Sequence, residues 1–344
     1  MKSRLEDLTP GPSPDRRGKP SVDTLSYQER GNRRRRWVRS VFLHTALCTL
    51  LSQSVFASGE ADAFAINGVG ARPGGMGGAF IGLSDDIETV YYNPAGLGDL
   101  THNGFTAMYQ TPSLKTSRGF LAVNKAWDHP VLPGSIALGW LRLQSTDIEL
   151  TNTDEQILGT DTLSNDLVIL GAGVRPFEHI SIGVSVKYFR FAFNGFQESG
   201  VGYDLGMHAK FDFFRCGLVM TDLDGTTLHG SSVQAGQPGV SDTVPARLRP
   251  GVALVFDRLL GLPVDVAWDA DEILKLRGGQ ETRLFTGMEL WGFEKHAAVR
   301  GGYQQSSGPT AGASLRVGRF QLDYSYLISL HLQDENRLGF SMHF

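Results

Sequence analysis

The chain has 344 residues, 41% hydrophobic and 20% charged, with 42 glycines and two cysteines. That length can bury a large core, and the glycine content suits many short strands and tight turns. Residues 1–57 hold 11 of the 32 Lys+Arg and 5 of the 36 Asp+Glu, leaving 21 basic against 31 acidic groups, a net of about −10. Such a balance argues against nucleic acid as a partner, because phosphate binding needs clustered cations.

Arg33 to Arg36 and Arg39 precede an apolar run from Val41 to Leu51, which leads to Val55-Phe56-Ala57. A basic stretch, a short apolar core and a small-residue cleavage site after Ala57 form an export signal over 1–57. The apolar run is too short to cross a bilayer as a helix, which takes about 20 residues. Leu47 before Cys48 argues against lipoprotein processing, where a small residue is wanted. Loss of Cys48 with the leader isolates Cys216, so neither an internal disulfide nor a cysteine metal cluster is expected. Residues 1–30 are rich in Pro, Arg and Ser without apolar period, and two readings stay open. They are a disordered extension, or the true start is Val38 and 1–37 are not translated.

Residues 58–103 lack strand periodicity and are dense in glycine. Ser84 or Asp85 can cap a short helix with Ile87, Val90 and Tyr91 on one face, stopped by Pro94. A small, Gly-rich, partly helical segment ahead of strands reads as a hatch folded into a lumen, with polar groups meeting inward Lys187, Arg190 and Asp323.

From Gly104 onward the period is two. Ile180, Ile182, Val184, Val186 and Tyr188 oppose Ser181, Gly183, Ser185 and Lys187, and Phe320, Leu322, Tyr324 and Tyr326 oppose Gln321, Asp323 and Ser325. Strands are predicted over 104–110, 119–127, 134–143, 165–174, 180–191, 200–210, 213–221, 246–256, 263–268, 282–290, 295–303, 309–316, 319–327 and 336–344. Fourteen segments, mostly of about 8 to 11 residues, fit tilted membrane-spanning strands. Connections alternate: long ones near 111–118, 144–164, 192–199, 222–245, 269–281, 304–308 and 328–335, short ones such as 175–179, 211–212, 291–294 and 317–318. That asymmetry separates an outer-membrane barrel from a soluble sandwich. Phe340, Met342 and Phe344 fall on alternate outward positions of the last strand, which is expected to pair with the first and to carry the signal for the insertion machinery. Tyr324 and Tyr326 suit an interfacial aromatic band.

The stretch from Gly70 to Leu97, GARPGGMGGAFIGLSDDIETVYYNPAGL, resembles the N-terminal signature of the FadL-type outer-membrane transporter superfamily, especially its smaller PorV/PorQ-like members. The matching positions are Gly77, Gly78, Asp85, Asp86, Asn93, Pro94, Ala95 and Gly96. The resemblance implies a fourteen-strand barrel with a luminal hatch. It further implies passage of hydrophobic molecules or, as the alternative, a type IX secretion shuttle or anchor. The chain and its loops are shorter than those of the large fatty-acid transporters.

Other chemistry is weak. Asp222-Leu223-Asp224-Gly225-Thr226 after an apolar strand is how haloacid-dehalogenase-type phosphatases begin, but no alternating helices follow, and a turn equally favours Asp and Gly. Asp265, Asp269, Asp271 and Glu272 lack EF-hand placement and suit a solvated loop. The histidines show no zinc spacing. The expectation is therefore an all-β transmembrane antiparallel barrel of about 14 strands (104–344) in the outer membrane. Its hatch (58–103) would bind and gate through Met76, Gly77, Gly78, Phe80, Asp85, Asp86, Asn93, Pro94, Ala95 and Gly96. No catalytic residue, metal or cofactor is expected. The expected partners are outer-membrane lipids, the insertion machinery, and a hydrophobic ligand or secretion-system proteins.

Overall fold

The computed structural model describes residues 68–113, 115–151, 156–232, 241–256, 265–275, 282–305, 307–330 and 333–344. The leader lies outside them. Sixteen strands follow one another: β1 (Gly104–Ser113), β2 (Thr116–Trp127), β3 (Gly134–Thr151), β4 (Ile157–Phe177), β5 (Ile180–Phe193), β6 (Phe196–Lys210), β7 (Phe214–Thr221), β8 (Thr226–Ser232), β9 (Ser241–Val244), β10 (Arg247–Phe256), β11 (Asp265–Lys275), β12 (Thr282–Gly292), β13 (Ala297–Gln304), β14 (Gly308–Val317), β15 (Phe320–Leu327) and β16 (Glu335–His343). Fourteen of them close an antiparallel barrel, each pairing with its neighbour, with β7 beside β10 and β16 beside β1. At the seam Phe105 faces Met342 and Gln110 faces Arg337. The remaining two, β8 and β9, form a hairpin whose β8 pairs with the first residues of β6.

Period two decides which side chain goes where. On β5, Ile182, Val184, Val186 and Tyr188 are 42–54% exposed, whereas Ser181, Ser185 and Lys187 are buried in the lumen. Arg190 belongs to the outward set and is exposed, which corrects the expectation that it points inward; Phe189 takes the luminal position. The outward apolar surface runs round the wall through Val123, Leu138, Leu170, Leu205, Leu322 and Leu338, all close to half exposed. A patch of that extent is untenable in water and natural in a bilayer. Exposed Trp127, Phe177, Phe211, Phe293, Phe320 and Phe344 all sit at the end where β1 starts and β16 finishes, and Tyr109, Tyr188, Tyr303 and Tyr324 in the other half. These are the two aromatic girdles of a membrane barrel, and the terminal end is the periplasmic one.

The expected loop asymmetry is largely absent. Where 144–164 reads as a loop, β3 and β4 continue outward as paired strands, with Ile148 opposite Asp161. β5 and β6 are joined by Asn194-Gly195 alone, both at positive φ (49° and 74°), the pattern of a tight type I′ turn. β11 runs on to Lys275, so the acidic 265–272 stretch is strand rather than loop.

Residues 68–103 lie inside the cylinder. They comprise α1 (Ala71–Gly75), α2 (Thr89–Tyr92) and a 3₁₀ helix at Pro94–Asp99. Met76, Phe80, Ile81, Leu83, Val90 and Leu97 are completely or almost completely buried against inward Phe120, Leu141, Leu167, Ile169, Phe189 and Val219. Each such side chain contributes roughly 1.5–3 kcal/mol. The barrel's core is thus its plug.

Candidate functional site: the hatch and the lumen wall

Two consecutive left-handed residues, Gly77 (φ 69°) and Gly78 (φ 85°), turn the chain back after α1. Only glycine takes that pair of conformations without strain. The turn lies directly on the wall, where Met76 and Gly77 meet the backbone of Gly287 on β12 and Gly302 on β13. On the opposite wall Pro94 and Ala95 rest on Gly183 of β5, Asn93 on Gly206 of β6, and Ile81 on Gly217 of β7. A Cβ would overlap the hatch backbone at Gly183, Gly217, Gly287 and Gly302, and the Asn93 side chain at Gly206. A glycine inside a strand commonly marks such close backbone approach.

Arg72 of α1 clamps the hatch. Its Nε and Nη2 donate to Glu289 of β12 at 2.9 and 2.8 Å, and its Nη1 to Asp85 at 2.7 Å and Asp86 at 2.6 Å. Behind it, Arg300 Nε donates to Glu289 at 2.6 Å and its Nη1 to Asp323 at 3.2 Å, while Ser314 and Gln321 donate to Asp323. Burial alone would loosen the Arg72 proton, but Asp85, Glu289 and Asp86 overcome it and hold it more firmly than usual. Burial likewise works against the Asp85 charge, and Arg72 and Arg215 outweigh it, keeping that carboxyl below its ordinary range. Glu88 differs: burial and the neighbouring Asp86 push its carboxyl well above the usual range, and Thr106 donates to it at 3.0 Å. Arg72, Asp85, Asp86, Glu88, Arg215 and Glu289 line a charged cavity of about 280 Å³ at the periplasmic end, together with Arg316, Trp291 and His343.

The Asn-Pro-Ala segment is local capping chemistry that also docks the hatch. Asn93 Oδ1 accepts from Ala95 N at 3.1 Å, capping the 3₁₀ helix, and Pro94 sits at its first position, where no N–H is needed. Asn93 Nδ2 donates to Met207 O of β6 at 3.1 Å, and the residue is fully buried. The predicted cap residues do other work. Ser84 Oγ donates to Phe80 O and Ile81 O, and α2 begins only at Thr89, with Asp86 Oδ1 accepting from Glu88 N. The segment ends on Asp99, which accepts from Ser181 Oγ at 3.0 Å and lies 2.8 Å from His208 Nδ1. Burial would raise the Asp99 carboxyl, but the hydrogen bond and charge of His208, with Ser181, hold it below the ordinary range.

The Asp-x-Asp-Gly motif makes a wall kink. Asp222, Asp224 and Gly225 have φ of 53°, 62° and 84°, so the chain jogs between β7 and β8. Lys187 Nζ spans Asp204 and Asp222 at 2.8 Å each, Asp222 N donates to Asp204, and Thr226 Oγ1 to Asp222. The pair expected of a phosphatase is thereby committed to a turn.

All ten expected hatch residues lie in the lumen, but in separate places. Met76–Gly78 face β12 and β13, Phe80 packs on Tyr92 with ring centroids 5.3 Å apart, Asp85 and Asp86 hold Arg72, Asn93–Ala95 face β4 to β6, and Gly96 packs on Ser84 and Thr89 within the hatch. Phe340, Met342 and Phe344 lie on the outer face, away from the lumen. Lys187 and Asp323 do point inward, yet neither bonds the hatch directly: Lys187 holds the kink, and Asp323 acts through Arg300. Sequence reasoning missed Arg72, Glu289, Arg300 and the wall glycines. Charged residues on the luminal parity of β12 and β13 were the available signal. Among the described residues no group of three His, Cys, Asp or Glu could hold a metal ion.

A closed fourteen-strand antiparallel barrel with an apolar belt, aromatic girdles and a plugged lumen is an outer-membrane β-barrel. Its architecture is that of the FadL-like barrels. The toluene transporter TbuX of Ralstonia pickettii is similar with TM-score 0.56 and 14% identity, over 82% of this chain and 100% of that chain. TodX, the toluene transporter of P. putida, is similar with TM-score 0.56 and 13% identity, over 81% and 99%. The CymD monoaromatic hydrocarbon channel is similar with TM-score 0.55 and 15% identity, over 81% and 98%. No protein-family model matches the sequence, and no curated protein matches it.

Proposed function

We propose that this chain admits small hydrophobic molecules across the outer membrane, with the hatch as its gate. The observation that carries the reading is the kind of anchoring the hatch has. It fills the lumen, yet its backbone lies on flat glycine positions and is held polar-side by discrete contacts at Arg72, Asn93 and Asp99. Where the backbone rests on glycines and is tied by a few polar contacts, breaking those bonds frees it to swing, and only the apolar packing of hatch side chains on Phe120, Leu141 and Leu167 then has to slide. Three solved structures of this fold are described as transporters or channels of toluene or monoaromatic hydrocarbons, which favours passage over the anchoring alternative. Gating would then need no covalent chemistry, only a shift between two hatch positions.

The test is uptake of radiolabelled toluene by Gram-negative cells expressing the chain in the outer membrane. Uptake above that of cells without it is expected, and Asn93→Ala should change the rate by loosening the hatch. No uptake above background would reject passage; unchanged uptake with Asn93→Ala would reject gating.

A further inference from the structure

On the extracellular side of the hatch, the inner wall carries Arg337, Gln110 and Arg118 in one row on three neighbouring strands. Gln110 of β1 stands directly opposite Arg337 of β16 on one side and Arg118 of β2 on the other. All three are buried, at 6%, 1% and 2% exposure. Glu335 brings a carboxylate to this row. Gln110 Nε2 donates to Glu335 Oε2 at 2.6 Å, and Arg337 Nη2 lies 3.8 Å from the same oxygen. Arg118 reaches it only through Gln110, whose Oε1 accepts from Arg118 Nη1 at 3.4 Å. Its Nε and Nη2 have no acceptor among the described residues.

That vacant edge has a known partner elsewhere in the same molecule. Arg72 uses Nε and Nη2 to grip Glu289 at 2.9 and 2.8 Å, and Arg142 uses the same pair to grip Asp166 at 2.8 and 3.0 Å. The two parallel N–H groups match the two oxygens of a carboxylate. A buried guanidinium whose edge meets no protein acceptor is costly. The groups acting on Arg118 are Arg337, Tyr91, Glu335 and Tyr92: a second cation, one shared acid and two rings of hatch helix α2. Those rings meet edge to face with centroids 5.0 Å apart, and Tyr91 remains partly exposed.

We infer that the Nε–Nη2 edge of Arg118 is a carboxylate-binding site, and that the barrel takes aromatic acids, whose ring would lie against Tyr91 and Tyr92. The inference rests on the passage reading and deepens it by naming a substrate class. Cations two strands apart favour an anion, the fork selects two oxygens on one carbon, and the adjoining surface is aromatic. Because Arg118 is only 2% exposed, the acid reaches it as the hatch moves. Ligand binding and hatch displacement are therefore linked, and each favours the other.

The test uses the full chain purified in detergent, with benzoate, benzamide, octanoate and toluene as probes in titration calorimetry. The wild-type protein should bind benzoate at least tenfold more tightly than benzamide, its neutral counterpart. Arg118→Met should lower benzoate affinity at least tenfold while leaving toluene affinity unchanged, and Arg118→Lys, which keeps charge but loses the fork, should fall between. Heat-modifiable gel migration checks that each variant is folded; should Arg118→Met not fold, the wild-type comparison still decides. Equal binding of benzoate and benzamide, or undiminished benzoate binding by a folded Arg118→Met, overturns the proposal. Octanoate binding as tightly as benzoate overturns its aromatic part. Failure of toluene uptake with intact benzoate selectivity would instead reject the passage reading and leave the site standing.

Discussion

Replacing Arg72 with Met should release the hatch without unfolding the wall. The substitution removes a guanidinium that contacts Asp85, Asp86 and Glu289 at 2.6 to 2.8 Å. Breaking a buried charge pair by deleting one partner costs about 3–5 kcal/mol. The lower end applies here. Glu289 keeps Arg300 at 2.6 Å, and Asp85, whose side chain is 30% exposed, keeps Arg215 at 3.2 Å and access to water. About 3 kcal/mol corresponds to a rise of roughly a hundredfold in the population of undocked hatch. Hydrogen exchange followed by mass spectrometry reads this directly. Amide protection over 71–86 should fall by about that factor in detergent near pH 7, while β12 and β13 stay protected. Arg72→Lys should lie between, keeping charge but losing the fork. Unchanged protection over 71–86 in Arg72→Met would refute the clamp, and equal loss in the wall would show that Arg72 holds the barrel instead.

Three further outcomes follow from other contacts. Gly183→Val puts a branched side chain where Pro94 and Ala95 lie, and should cost on the order of 1–3 kcal/mol by overpacking, read as a lower unfolding midpoint in urea. Gly292→Ala, with nothing within 4 Å of the new methyl, should leave the midpoint unmoved, and equal effects would discard the close-approach argument. Lys187→Met removes the cation that bridges Asp204 and Asp222, so β8 and β9 should become protease-sensitive before the rest of the barrel; uniform resistance would count against the staple. The depressed Asp99 carboxyl contributes stability that is present above its unfolded value, about pH 4, and lost as pH falls through the lower folded value. Exchange protection of 94–99 should thus drop in acid, and Asp99→Asn should be weak already at neutral pH and flat in that window.

The wall was legible in the sequence because a membrane barrel has two solvents, lipid and lumen, and strands alternate between them. β5, β15 and β16 carry that alternation in full, and all fourteen wall strands fall close to their expected places. Two local signals were underread. Phe193-Asn194-Gly195-Phe196 is the pattern of a two-residue hairpin, yet 192–199 reads as a loop when only hydrophobicity is followed. The polar 144–164 stretch lacks apolar alternation because it extends beyond the bilayer, where strands need only hydrogen bonds. The hatch was legible as a Gly-rich insert, but its fastening was not. The Arg72–Glu289 pair spans 217 residues, and only the closed cylinder brings its ends together. Asn93, Pro94 and Ala95 stood out as a motif, and their partners, strand glycines such as Gly183 and Gly206, did not, because a missing side chain gives no pattern of its own.

Phe344 donates its backbone N–H to Asn103 O at 2.9 Å, the point where the hatch leaves the lumen and β1 begins. The stopper and the first stave are thus one continuous piece, and the last stave is tied at the join between them. When β16 zips onto β1, the cylinder is sealed at the hinge of its own stopper.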